Sequence, residues 1–219
     1  MKQELKTQRS RELILRAGLR CFSQSGYKAT SIRDIAKHAG ISIGRVYHHF
    51  SSKLEIFTAL LDQYWRRLED PELPLNQVVA QARFPEDIAD IAAAIREVVV
   101  ENRSSIMLIY IDVIEFQGEH IQRFYRNMAA NFKAAYESRF TELHQEGRLN
   151  QQADPLFAVM MIFRFLFQYY MVETSFGVED HFGFDSDAVA GKVQDLILHG
   201  LLNPSTSETT TTTPTSAEA

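Results

Sequence analysis

An all-α fold is what this sequence predicts, on three observations. Apolar residues recur at helical spacing in segment after segment, as in Ile88, Ile91, Ala92, Ile95, Val98 and Val99. Cap signals stand in front of such segments, at Ser31 with Asp34, Ser52 with Glu55, and Asp154 with Pro155. No stretch sustains the strict alternation of a half-buried strand. About nine helices are expected, divided among an N-terminal domain over residues 1–53, a larger domain over 54–202 and a tail over 203–219.

Taken in order, the first helix carries Ala17, Cys21 and Phe22. Thr30 and Ser31 are caps for a second, whose stripe is Ile32, Ile35, Ala36 and Ala39. Gly40 supplies the left-handed conformation of a tight exit. Ser42 caps a third helix of barely two turns, Ile43 to Phe50. So short a helix cannot hold itself together and must pack on its neighbours, which leaves its polar residues free to face something else. Ile32, Ile35, Ala36, Val46 and Phe50 are the expected core.

In the larger domain a capping box of Ser52 and Glu55 opens a helix to about Leu68, ended by Pro71 and Pro74. Pro85 suits the first position of the next, to about Asn102. A mostly apolar helix over Arg103 to Gln117 is broken near Gly118. Glu119 to Glu146 follows, with Gly147 as its stop. Asp154-Pro155 starts a helix to about Phe176, and the last runs from about Ser186 to Leu202. Asn203 to Ala219, with threonines at 209–213, is too poor in apolar side chains to offset its ordering entropy, so a disordered tail is expected.

Composition bounds the class. Of 219 residues 45% are hydrophobic and 23% charged, as in ordinary globular proteins. The single cysteine, Cys21, excludes an internal disulfide and fits a buried structural thiol. No apolar run is expected to span a membrane, and the Lys- and Gln-rich N-terminus has no signal-peptide core, so a cytoplasmic location is expected. The net charge of −5 conceals two opposite halves. Residues 1–53 hold 11 Lys and Arg against 3 Asp and Glu; the remainder holds 12 against 25. A basic head on an acidic body can neutralise phosphates and steer association with DNA.

Two short helices joined by a glycine turn, followed by a capped third, make a helix-turn-helix. Residues Ile14 to Phe57 resemble the DNA-binding domain of the tetracycline-repressor (TetR) family of bacterial transcription regulators. The matching positions are Ala17, Phe22, Gly26-Tyr27, Thr30-Ser31-Ile32, Asp34-Ile35-Ala36, Ala39-Gly40-Ile41-Ser42, Gly44, Tyr47, His49-Phe50 and Ser52-Lys53. Leu54, where an acidic residue is common, and Cys21, where another apolar residue is usual, depart from the pattern.

On DNA, Gly44 would let the third helix approach the groove, with helix packing as the alternative. Arg45 can bridge guanine O6 and N7, or else meet a phosphate. Tyr47 and His49 resemble the family's backbone-contacting pair, and His48 can reach a base edge or a phosphate. Lys53, at a helix N-terminus, with Thr30, Arg33 and Ser42, completes the expected phosphate set. His48 and His49 point apart on a helix and lack further ligands, so no metal is expected. No cofactor is expected either.

Aromatics with interspersed polar groups enrich the middle of the larger domain, as an apolar ligand chamber requires, although aromatics at helical spacing are also plain core. The family resemblance implies a small-molecule effector chamber there, for which the candidates are Tyr110, Asp112, Phe116, Arg123, Phe124, Phe163, Arg164, Phe167 and Tyr170. Asp112 and Glu115 would select a cation, whereas Arg123, Arg126 and Arg164 would favour an anion; the sequence leaves both open. Phe157 to Met171 is apolar on more than one face, and with the final helix it could form a four-helix interface across a two-fold axis. The resemblance implies that homodimer, a palindromic double-stranded DNA operator and repression relieved by the effector. An effector-independent DNA-binding regulator is the alternative. An enzyme is not expected, since the chain lacks a Glu-x-x-His pair, a phosphate-cradling glycine loop and a nucleophile in context.

Overall fold

The computed structural model describes residues 2–81 and 83–202, the side chains of 2–5 and 123 excepted. The expected tail, Asn203 to Ala219, lies outside the described residues. Within them the chain forms α1 (Lys2–Ser25), α2 (Ile32–Ala39), α3 (Ile43–His49), α4 (Lys53–Leu68), α5 (Pro74–Gln81), α6 (Ile88–Phe116), α7 (Gln122–Gln145), α8 (Pro155–Phe176) and α9 (Ser186–Leu201). The only extended pairing among the described residues is an isolated antiparallel bridge between Leu149 and Leu202.

Nine helices match the expected number through two departures that offset each other. The segment after Pro74 forms α5, which was not expected. The Asn76 side chain shapes its corner, donating to the carbonyls of Leu68 (2.8 Å) and Asp70 (2.7 Å). Conversely, the two helices expected over 85–102 and 103–117 are one, α6, kinked at Asn102 (φ −109°, ψ 17°). There the buried Asn102 amide donates to Val98 O at 2.8 Å, a local side-chain bond beside the disturbed backbone ladder. α6 begins at Ile88 behind Asp87, not at Pro85. α7 begins at Gln122 instead of Glu119, because the chain after Gln117 (φ 57°) winds around the Asp112 carboxylate. That carboxylate accepts the amides of His120 (3.2 Å) and Ile121 (3.0 Å) and lies 2.6 Å from His120 Nδ1.

Two apolar cores result. One gathers Ile14, Phe22, Ile35, Val46, Phe50, Ile56 and Phe57 with Leu108 and Ile111 of α6. The other is built from α4, α6, α7, α8 and α9 around Ile91, Ile95, Tyr136, Val159, Ile162 and Leu166. α4 runs from the first to the second, and Trp65 and Ile109 pack against both. By length and composition alone, the 22 residues of α8 would be enough to cross a membrane. The helix also packs against α6, α7 and α9, burying Val159, Ile162, Leu166 and Met171.

Candidate nucleic-acid interface

Each short helix is held by its own caps. The Ser31 hydroxyl accepts the Asp34 amide at 3.2 Å, and the Asp34 carboxylate accepts the Ser31 amide at 2.9 Å. The Ser31 hydroxyl, which also donates to the Asp34 carboxylate, and then the Ser31 amide hold the Asp34 carboxyl below its ordinary range. Gly40 takes φ 68° and the next amide, of Ile41, reaches back to Ala36 O at 3.1 Å. A side chain is disfavoured in that left-handed conformation. Ser42 then accepts the Arg45 amide at 3.2 Å and starts α3.

α3 turns one side fully inward. Val46 and, at its C-cap, Phe50 are buried, while Ile43, Gly44, Arg45, Tyr47 and His48 are exposed. A Cβ built on Gly44 would meet nothing within 4 Å, so this glycine packs against no other part of the chain. The half-buried His49 imidazole is pushed below its ordinary pKa by burial and then by His48, Arg45 and Arg11. Among the described residues no cluster of His, Cys, Asp or Glu is arranged to hold a metal. Cys21 is buried, its thiol pushed up by that burial, with Sγ 3.5 Å from His38 Nδ1.

The expected phosphate set divides. Arg33 is exposed on α2, and Ser42 is exposed as a cap. Thr30 is buried, with its hydroxyl donating to Gly26 O at 2.8 Å, so it fastens the turn before α2. Lys53 is also turned inward: Nζ donates to Tyr27 O (2.6 Å), Thr30 O (2.8 Å) and Lys28 O (3.5 Å) and lies 4.1 Å from the centre of the Tyr27 ring. Its three donors are thus taken by the turn between α1 and α2, and burial lowers its pKa. The Ser52–Glu55 box is half formed. Ser52 accepts the Glu55 amide at 3.1 Å, but the Glu55 carboxylate accepts the Ser51 amide (2.6 Å) and hydroxyl (2.7 Å).

Two contributions were not foreseen. Glu115, read from sequence as part of a ligand selector, accepts the amides of Tyr27 and Lys28 at 2.9 Å each, tying α6 to the turn after α1. An aromatic cluster of Phe22, Tyr27, Phe57, Phe116 and His120 surrounds this junction. Arg11 of α1 lies over the Phe50 ring, 5.0 Å from its centre. Neither pairing has a local signal, since the partners lie far apart in the chain.

The expected chamber residues also divide. Asp112 is fully buried and committed to the turn before α7, and Phe116 belongs to the junction, so neither is free to meet an effector. The side chain of Arg123 lies outside the described residues. Tyr110 donates to Gln168 at 3.3 Å, joining α6 to α8. Phe124 stacks on Trp65 at 4.9 Å, Arg164 lies 5.0 Å over Tyr125, and Phe163 meets Phe132 edge-on at 4.7 Å. Phe167 is half-buried against the larger core, and Tyr170 is buried in it. The Tyr64 and Tyr136 hydroxyls and the Asp87 carboxylate are also buried, without a hydrogen bond of normal geometry among the described residues. Burial raises all three pKa values, and neighbouring backbone amides only partly offset it at Asp87. A separate cleft of about 810 Å³ opens between α6 and the α8–α9 connection, lined by Arg96, Arg103, Glu173, Asp185 and Asp187 among others.

Comparison with known proteins bears on this architecture. Residues 14–60 match the family described as "Bacterial regulatory proteins, tetR family". The chain is 32% identical over 138 residues to the HTH-type transcriptional regulator AcrR of Shigella flexneri, covering 58% of this chain and 60% of that protein. It is 42% identical over 55 residues to the HTH-type transcriptional regulator TtgR of Pseudomonas putida, covering 25% of this chain and 26% of that one. The matched stretches thus span three fifths or less of these relatives. A TetR family transcriptional regulator from Pseudomonas syringae pv. tomato shares the fold, with a TM-score of 0.58 and 22% identity over 89% of this chain and 97% of that one. A TetR-like regulator from Rhodococcus shares it with a TM-score of 0.58 and 19% identity over 85% and 92%. Helix-turn-helix and relatives agree on the N-terminal part: residues 14–60 are similar to the bacterial regulatory proteins of the tetR family, and the all-helical body shares the fold of TetR-like regulators.

Proposed function

We propose that the protein is a dimeric, sequence-specific DNA-binding transcription regulator of the cytoplasm, a repressor released from a palindromic operator by a small-molecule effector. The observation that carries this reading is α3, which is anchored inward by Val46 and Phe50 and presents Gly44, Arg45, Tyr47 and His48 outward with no packing partner for Gly44. Such a helix enters a major groove, where Arg45 reads a guanine edge and Tyr47, His48 and His49 meet base edges or backbone. Arg33 and Ser42 supply further phosphate contacts. Thr30 and Lys53 act indirectly by setting the position of α2 and α3.

Exposed apolar residues on the last two helices support the dimer. Leu196 of α9 is 70% exposed, and Phe157 and Met161 of α8 are 67% and 41% exposed, apolar surface that a two-fold partner would cover. An effector chamber between α4, α6, α7 and α8 is supported by the buried hydroxyls of Tyr64 and Tyr136, which lack a partner among the described residues, beside Tyr110, Phe163 and Phe167. Effector binding would favour one placement of α6, and the Glu115 contacts would carry that preference to the turn after α1. The alternative, a regulator without an effector, is favoured by the mutual packing of Phe124 on Trp65 and Phe163 on Phe132.

A fluorescence-anisotropy titration against DNA from upstream of the protein's own gene, with a scrambled duplex as control, tests the reading. Arg45→Ala is expected to weaken upstream binding by about 1–3 kcal/mol and to leave the control nearly unchanged. Absence of binding to either duplex at low salt would rule the reading out.

A further inference from the structure

We propose that Arg11 is a DNA-phosphate contact that widens the interface beyond the helix-turn-helix, a role that rests on the reading of α3 as the DNA-facing helix. Arg11 lies in α1, ahead of the matched segment that begins at residue 14. Its guanidinium carbon lies 5.0 Å from the centre of the Phe50 ring, the residue that closes α3. Stacking on an aromatic face fixes the guanidinium plane without using its N–H groups, which leaves a planar donor fork available to a phosphate.

The surroundings leave that fork free. Glu55 is the nearby acid and feels the Arg11 charge, but its Oε2 accepts the Ser51 amide and hydroxyl, and no ion pair joins it to Arg11 among the described residues. Arg11 makes no ion pair or hydrogen bond among the described residues, and it is exposed. Its positive charge contributes, after burial and the charges of His48 and Arg45, to the lowered pKa of His49. Arg11 and Arg45 are therefore both close enough to His49 at the end of α3 for their charges to act on it.

Position argues for phosphate over base. Arg11 sits where α3 ends and the chain turns through Ser51 and Ser52 into α4. A helix in the major groove is flanked by the two sugar-phosphate strands. A cation at its C-terminal end, on a neighbouring helix, then meets a strand and not the groove floor. It lies within the N-terminal 53 residues, which carry 11 basic and 3 acidic side chains. The chemistry recognised is the phosphodiester, without regard to sequence.

The test is a set of anisotropy titrations of the full chain across graded salt, with a duplex from upstream of its own gene and a scrambled duplex of equal length. Arg11→Gln is expected to weaken both complexes by the same factor. It should also flatten the plot of log affinity against log salt by about 0.9 for each Arg11 removed. Arg11→Lys, which keeps the charge, is expected to retain the wild-type slope, and this comparison decides the matter even if Arg11→Gln disturbs packing on Phe50. A wild-type slope in Arg11→Gln overturns the proposal, as does a loss confined to the upstream duplex, which would make Arg11 a base reader. If the wild type binds neither duplex, the DNA-binding reading and this proposal fail together; wild-type binding with an unchanged Arg11→Gln slope sinks this proposal alone.

Discussion

Glu115 holds two backbone amides of the turn that leads into α2, and Lys53 holds three carbonyls of the same turn from the other side. Removing the carboxylate in Glu115→Ala strips the Tyr27 and Lys28 amides of their partner. A loss of about 1–3 kcal/mol is expected, read as a lower melting temperature; an unchanged one would mean that the junction is held by its aromatic rings alone. Glu86 shows how a carboxylate couples stability to pH. Burial raises its pKa, but bonds from Arg139 and Arg148 outweigh that and leave it below the ordinary glutamate value. A depressed folded pKa means stability that is present above the unfolded value and lost as pH falls through the folded one. Glu86→Gln should therefore lower the melting temperature at neutral pH, with the gap to wild type closing below about pH 4. A gap that stays constant on acidification would exclude the linkage.

At the scale of elements, α1 and α4 approach closely within the core that Val46 of α3 and its C-cap Phe50 enter. A Cβ on Gly18 of α1 would come within 2.9 Å of Ile56 Cγ2 on α4, a β-branched methyl with little room to yield. Gly18→Val is expected to destabilise the protein by about 1–3 kcal/mol or more and to weaken DNA binding through misplacement of α3. Chemical denaturation would detect it, and a variant as stable as wild type would show that the two helices separate freely. The kinked α6 touches α1, α4, α5, α8 and α9, so a shift in its pose reaches both cores. Glu115 and Asp112 stand near its end, where Glu115 meets the turn that leads into the helix-turn-helix.

For the whole molecule, α8 and α9 leave apolar surface that the single chain does not cover. Phe157→Glu combined with Leu196→Glu is expected to convert a dimer into a monomer in analytical ultracentrifugation and to weaken operator binding, since each half-site would then be bound alone. A dimer that survives both charges would move the interface elsewhere. The opposite charge of the two ends fits this arrangement. In the proposed complex a basic head would meet DNA while the acidic body stayed outside its field.

Much of the helix-turn-helix half was legible in sequence because its signals are local. Cap pairs three residues apart, the glycine exit at Gly40 and the apolar stripe through Ile35 and Ala36 each act within one or two helical turns. Those same signals marked Gly44, Arg45, Tyr47 and His48 as outward-facing once Val46 and Phe50 were assigned to the core. The tertiary structure alone decided which polar residues were free. Thr30 and Lys53 look like phosphate ligands by position, yet the turn after α1 takes their donors. Asp112 and Glu115 look like ligand selectors, yet backbone amides take their oxygens. Helix limits in the body failed for a related reason: the Asn102 bond to Val98 bends α6 without ending it, and Asn76 closes the unexpected corner before α5. Local sequence determined that these helices form and which faces are apolar. Their packing determined where each buried amide and carbonyl finds its partner, because that requirement is met across distances that no spacing in the chain records.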